Sequence, residues 1–138
     1  MNRDSRPAGV TLVELAVVLA MLAILAGAAL PALQQQQIKG RRADAVAALA
    51  RVQWAQEQFR THHGLYATSL VQLQGAAPLS AEGLYEIGLR AVGPNGYVVA
   101  ARVRRDGAQA GDRDCQELTL GVHEGLASHG PSPRCWNR

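Results

Sequence analysis

A single acid inside a membrane-length apolar run constrains this chain more than any other feature. Residues Val10–Leu33 are almost uninterruptedly apolar, and Glu14 is the one charged residue among them. A run of this length is enough to span a bilayer as a helix. A lone carboxylate inside a span costs roughly 2.5 kcal/mol or more at its centre, so such a residue indicates a function. The run predicts a membrane helix whose acid has a role.

A short polar leader, Met1–Gly9, precedes this run and carries Arg3 and Arg6. In an ordinary secretory signal the apolar region comes before the cleavage site. Here the order is reversed, so a cut after Gly9 leaves the apolar helix on the mature chain. The alternative is a plain signal anchor in which Glu14 lies at the level of the lipid headgroups.

Two cysteines near the C-terminus, Cys115 and Cys135, bear on the compartment. An even pair downstream of an exported segment predicts one disulfide in an oxidising compartment; two buried thiols are the alternative. The cations just beyond the apolar run slightly favour the opposite orientation by the positive-inside rule. We prefer export, because the cysteines and the order of the leader outweigh a margin of one charge.

The segment Gly9–Leu15 (GVTLVEL) resembles the processing site of the type IV pilin and pseudopilin superfamily. The family pattern is a glycine before the cut, an apolar first mature residue and glutamate as the fifth. Val10 stands where phenylalanine is usual and Ala8 where lysine is frequent, while Pro31 falls where many members carry a helix-loosening proline. The resemblance implies that a membrane-embedded prepilin peptidase cleaves after Gly9 and methylates the new amine of Val10.

Electrostatics gives Glu14 a reason to be there. A protonated amine on Val10 is costly in an apolar setting, and a carboxylate from a neighbouring subunit offsets that cost. Pairing of this kind sets the axial stagger between subunits. Glu14 and Pro31 are therefore the predicted assembly residues.

The second half of the long helix, residues 34–63, is polar but still favours a helix, and we expect it to end near Gly64. Its apolar stripe predicts a face that packs on a sheet. The stripe consists of Ala45, Leu49, Val52, Gln56 and Phe59. The charged residues expected to face water are Arg41, Asp44, Arg51, Glu57 and Arg60. Trp54 lies off the stripe; we favour a partly exposed packing residue over contact with another subunit.

The globular domain, residues 64–138, predicts an antiparallel sheet of about four strands. Alternation of apolar residues marks strands at 85–90, 97–104 and 118–122, with a short fourth at 124–127. Asn95-Gly96 predicts a tight turn between the first two. The predicted fold class is α+β, with a long N-terminal helix on this small sheet.

The globular half is also similar to the PilE-like branch of type IV pilins. The similarity covers Gly83–Ile87, Gly96–Ala101, Asp114-Cys115 and Cys135-Trp136. In that branch the last two cysteines close a C-terminal loop. The resemblance therefore implies the type IV pilin fold with a disulfide-closed C-terminal loop.

The preferred function is a structural one, a major or minor subunit of a type IV pilus that supports adhesion, twitching motility or DNA uptake. The resemblance implies several partners: other pilin subunits, the prepilin peptidase and an inner-membrane assembly platform. It also implies a single-pass inner-membrane protein with a periplasmic domain before assembly. Afterwards the subunit belongs to an extracellular pilus of a Gram-negative-type bacterium.

Two alternatives stay open. One is a DNA-binding minor pilin of a competence pilus, with Arg102, Arg104 and Arg105 in an outward basic patch that Arg113, Arg134 and Arg138 extend. The formal net charge of +3 is too small to indicate nucleic-acid binding by itself. The other alternative is a pseudopilin of a type II secretion system.

Enzymatic and cofactor chemistry have little support in the sequence. We find no catalytic grouping of nucleophile and base, no phosphate-binding glycine loop and no spacing typical of metal ligands. Asp106, Asp112 and Asp114 match no strict calcium loop. We expect no catalytic residue, no cofactor and no metal site.

Overall fold

The long helix α1 comprises Leu12–His63 in the computed structural model, which describes residues 9–137. It begins after Thr11, whose hydroxyl accepts a hydrogen bond from the N–H of Glu14 at 3.3 Å, as a capping residue does. It ends at Gly64, which has a φ of 77° and donates its N–H to the carbonyl of Arg60 at 2.8 Å. The predicted end of the helix is confirmed. The predicted leader lies outside the described residues except for Gly9.

The chain divides into two compact units, Met1–Gln36 and Gln37–Arg138. In the described part of the first unit, the apolar side chains are exposed: Leu12 is 87% and Ile24 73% accessible. Its best stretch has a mean hydropathy of 2.5, and the helix is long and apolar enough to cross a membrane. Pro31 lies inside the helix.

The second unit contains a four-stranded antiparallel sheet with strands in sequence order. The strands are β1 (Tyr85–Ala91), β2 (Gly96–Val103), β3 (Glu117–His123) and β4 (Leu126–Gly130). Two short 3-10 helices, Leu70–Gln72 and Pro133–Trp136, complete the regular structure. The predicted α+β fold class is confirmed.

Two turns differ from the sequence-based prediction. β4 begins at Leu126 because Glu124 and Gly125 both have positive φ, at 50° and 82°, and form the turn after β3. In the β1–β2 turn the left-handed residue is Gly93, at φ 69°, and neither Asn95 nor Gly96 is left-handed. Glycine adopts this conformation without a steric cost, so the turn is built around Gly93.

The core of the second unit forms where the stripe on α1 meets the inner face of the sheet. Leu49 and Val52 are buried with Tyr97 and Leu118, and Phe59 packs at the edge of this cluster. The polar member of the stripe, Gln56, is satisfied by its two hydrogen bonds with the backbone of Ala67. The predicted stripe is confirmed.

One helix residue is not where the sequence predicts. Asp44 was expected in water but is buried, and its carboxylate accepts the backbone N–H of Glu82 at 3.2 Å. Trp54 was expected to be a partly exposed packing residue, and it is 64% exposed. The helical period identifies a face, but it does not show whether another segment covers its borders.

Candidate functional site

The predicted processing site lies just ahead of α1. Gly9 and Val10 are outside the helix, and the Val10 side chain is 72% exposed. Glu14 is in the first helical turn and exposed. Free N–H groups at a helix start favour a negative charge, so the Glu14 carboxylate is stabilised by its position in the first turn.

The disulfide predicted between Cys115 and Cys135 is present. The Cα atoms are 5.6 Å apart and both residues are 1% exposed. Trp136 follows the bridge and is buried, with its indole N–H donating to the carbonyl of Gly130 at 2.8 Å. Its ring meets that of His129 edge-on. The C-terminal loop is therefore closed by the bridge and held down by the indole.

A buried ion pair that the sequence analysis missed joins α1 to this loop. Arg42 donates from Nε and Nη2 to the two carboxylate oxygens of Asp112, each at 2.7 Å. Its Nη1 donates to the carbonyl of Arg134 at 3.0 Å. The hydrogen bond to Asp112 raises the pKa of Arg42 above its ordinary value. The pair is 70 residues apart in sequence, so no local pattern revealed it.

Further side-chain bonds fasten the same turn of α1. The amide of Gln109, wholly buried, donates to the carbonyl of Ile38 at 3.0 Å and to Asp112 at 3.0 Å. Arg41 donates to the carbonyl of Ala108 at 3.0 Å. Asn137 donates to that of Lys39 at 3.1 Å. One helical turn thus holds both the β2–β3 loop and the end of the chain.

The three arginines predicted to contact DNA lie at the end of β2 and in the loop after it. Arg102 forms an ion pair with Glu117 at 2.6 Å, and Arg104 with Asp106 at 2.8 Å. The hydrogen bond that Arg102 donates to Glu117 raises the pKa of Arg102. Arg105 is exposed and has no carboxylate within 4 Å among residues 9–137. Arg138, the last residue of the wider patch, lies outside the described residues.

The outer face of the sheet carries one more cation that the sequence analysis did not select. Arg90 on β1 pairs across the strands with Val98, and Gly88 pairs with Ala100. These residues line a shallow groove of about 300 Å³ that also reaches Arg102. Its floor is formed by small side chains. The alternation along β1 already placed Arg90 on the outer face, which is the signal that identifies it.

Two of the three aspartates considered for calcium have other partners. Asp112 accepts from Arg42 and Asp106 from Arg104. Within the part of the chain that the structure describes, no group of three or more His, Cys, Asp or Glu residues is arranged to hold a metal ion.

Residues 31–119 match the model of a family described as type IV minor pilin ComP, DNA uptake sequence receptor. That match covers well over half of the chain. The chain belongs to this family of type IV minor pilins. Residues 4–30 match the prokaryotic N-terminal methylation motif. No curated protein matches the chain at a significant level.

The identification confirms the resemblance drawn from the sequence. The protein is a structural pilus subunit, and pilin families are structural rather than enzymatic. The methylation motif and the apolar helix together indicate a minor pilin that is anchored in a membrane before assembly. The matched family description also decides between the two subunit classes, since it names a minor pilin.

Proposed function

We propose that this minor pilin is the DNA-binding subunit of a type IV pilus used for DNA uptake. The observation that carries the proposal is the family match, whose description names a DNA uptake sequence receptor and whose range includes every arginine of the outer sheet face. A pseudopilin of a type II secretion system has less support, because the matched family consists of type IV minor pilins.

Arginine placement supports the proposal in two ways. Arg90 and Arg102 stand at outward positions of the adjoining strands β1 and β2, and Arg104 follows directly after the end of β2. Exposed ion pairs such as Arg102–Glu117 contribute little free energy, so a phosphate can replace the carboxylate at small cost. Arg105 has no such pair to give up.

Phosphate contacts make a quantitative prediction about salt. Each neutralised phosphate adds about −0.9 to the slope of log affinity against log salt concentration. Three arginine contacts therefore weaken duplex binding about 40-fold between 50 and 200 mM salt. The test is fluorescence anisotropy of a labelled DNA duplex titrated with the full mature chain in detergent.

The variant for this test replaces Arg102, Arg104 and Arg105 by glutamine. We expect weaker binding and a salt slope smaller in magnitude by about 3. The matched control removes three cations elsewhere by replacing Lys39, Arg41 and Arg51, and its slope should stay near that of the wild type. Equal losses in both variants would show that only net charge matters and would overturn the assignment.

Maturation and assembly form the second part of the proposal. A prepilin peptidase removes the leader 1–9 after Gly9 and methylates the amine of Val10, as the motif match supports. Residues 10–33 then span the inner membrane, with residues 34–63 as the second half of the helix. The globular domain 64–138 lies in the periplasm until an assembly platform adds the subunit to an extracellular filament. In the filament, Glu14 pairs with the amine of a neighbouring subunit, and Pro31 loosens the helix.

A further inference from the structure

A second group of cations surrounds the Arg42–Asp112 pair and takes no part in the proposed DNA contacts. We call it the basic collar, and it consists of Lys39, Arg41, Arg113 and Arg134. Three of these residues are exposed and Arg41 is half-buried.

The buried pair explains why residues so distant in sequence lie together. Arg42 holds Asp112 and the carbonyl of Arg134, while Arg113 follows Asp112 directly. Lys39 is bound through its carbonyl to Asn137 at 3.1 Å. The collar is therefore a fixed surface that folding assembles around one turn of α1.

The cations of the collar outnumber the acids near them. Arg42 and Asp112 cancel each other, and Asp114 is the one acid beside Arg113 in this loop. Asp44, one turn of α1 from Arg41, is a second nearby anion, so the four collar cations leave a local net charge of +2. No collar side chain has a carboxylate within 4 Å in the described range 9–137, in contrast to Arg102 and Arg104. Such a surface needs anions from outside the domain.

The chain itself limits where those anions are. Lys39 follows Leu33, the end of the apolar run, by six residues, and Gln34–Ile38 carry no charge. Six residues extend about 9 Å as a helix and at most about 21 Å when fully stretched. The headgroup layer on each side of the hydrocarbon core is about 5–8 Å thick. Residues 34–39 are helical, so Lys39 lies about 9 Å along α1 from Leu33, and its long side chain reaches lipid phosphates while Val10–Leu33 is in the bilayer.

We propose that the basic collar binds anionic phospholipid headgroups at the membrane surface and so holds the domain of the unassembled pilin against the bilayer. Juxtamembrane Lys and Arg side chains are attracted to anionic lipids in this way. Lipid is favoured over DNA because the tether supplies lipid phosphates at high local concentration, whereas a duplex would have to enter between domain and membrane. The idea rests on membrane anchoring and is independent of DNA binding.

The experiment uses the full mature chain in nanodiscs made of phosphatidylcholine alone or with half phosphatidylglycerol. Amide hydrogen exchange is measured by mass spectrometry across residues 38–42, 107–114 and 132–137. We expect at least threefold slower exchange in these segments with the anionic lipid, and no change at the β1–β2 turn. The protection should disappear in 0.5 M salt, where charge interactions are screened.

Two variants with equal charge make the test specific. The collar variant carries Lys39→Gln, Arg41→Gln, Arg113→Gln and Arg134→Gln and should lose the protection. The control carries Arg51→Gln, Arg90→Gln, Arg102→Gln and Arg105→Gln and should keep it. No dependence on anionic lipid, or equal loss in both variants, overturns the proposal.

A DNA arm separates the two ligands. A short duplex added to the phosphatidylcholine discs should leave the exchange of the collar unchanged. If the duplex slows exchange there and the anionic lipid does not, the collar is a nucleic-acid surface and the lipid proposal fails. The DNA proposal has its own readout, the anisotropy titration, so failure of one does not imply failure of the other.

Discussion

Leucines in the two units of this pilin have opposite surroundings. Leu22, in the first unit, is 56% exposed, whereas Leu49, in the second, is fully buried. Burying such a side chain contributes about 1.5–3 kcal/mol. The second unit gains that free energy within one chain, while the first gains it only from lipid or from other helices. The two halves of one helix thus have different surroundings, and substitutions in them should have different effects.

The largest effect is expected at the acid of the first unit. Glu14→Ala removes the carboxylate proposed to compensate a neighbour's amine, so the variant should remain in the membrane but be lost from filaments. Immunoblots of sheared pili and of membrane fractions measure both pools.

The same variant also tests the comparison between units. Thermal unfolding of the globular unit should not change, since Glu14 is an exposed residue of the other unit. Normal incorporation of Glu14→Ala into filaments would remove the positioning role, and a lowered melting temperature would show that the units are not independent.

The next largest effect is expected at Arg42. Removing one partner of a buried ion pair costs about 3–5 kcal/mol, because the other charge is left uncompensated. Arg42→Ala should therefore strongly lower the free energy of unfolding of the second unit, measured by urea denaturation of the full chain in detergent.

Arg51→Ala is the matched control for Arg42, because Arg51 lies on the same helix and is exposed. Its unfolding free energy should stay within about 0.5 kcal/mol of the wild type. Similar losses in the two variants would indicate that helix charge, rather than the buried pair, is responsible.

A smaller effect should appear at alkaline pH, and only in the second unit, which contains all three tyrosines. Burial raises the pKa of Tyr85 to about 12 and that of Tyr97 also upward from the ordinary value. Neutral tyrosine is thus favoured in the fold: this stability is complete below pH 10 and is lost as pH rises through the folded pKa.

The measurement is urea unfolding of the wild type and of Tyr85→Phe between pH 9 and pH 12. The wild type should lose a few kcal/mol over this range, and the variant should lose less by about 2–3 kcal/mol, since one pKa unit corresponds to 1.36 kcal/mol. Parallel curves for the two proteins would show that Tyr85 ionises without opening the core.

Much of the fold follows from residue spacing. The stripe through Leu49 and Val52 and the alternation through Tyr97 and Val99 depend on periodicity alone, and both faces lie in the core. The expected oxidising compartment predicted the Cys115–Cys135 disulfide, which is present. The stripe and the alternation are local patterns, and two cysteines allow only one disulfide.

What could not be predicted depends on distant partners. Arg42 and Asp112 each look like solvated charges within their own segments, and only folding brings them together. The burial of Asp44 also involves a distant segment. Its carboxylate accepts the backbone N–H of Glu82, and a backbone donor has no sequence signature. The basic collar follows from the same pair, so the sequence alone did not show it.

A pilus subunit is also a load-bearing part. Tension carried along α1 enters the globular unit at residues 38–42, where bonds to the β2–β3 loop and to the C-terminal turn lie side by side. Bonds in parallel share a pulling force, and the covalent Cys115–Cys135 bridge prevents the tail from peeling away one contact at a time. The sheet, which carries the arginines proposed to contact DNA, should therefore bear less of any tension applied to the helix.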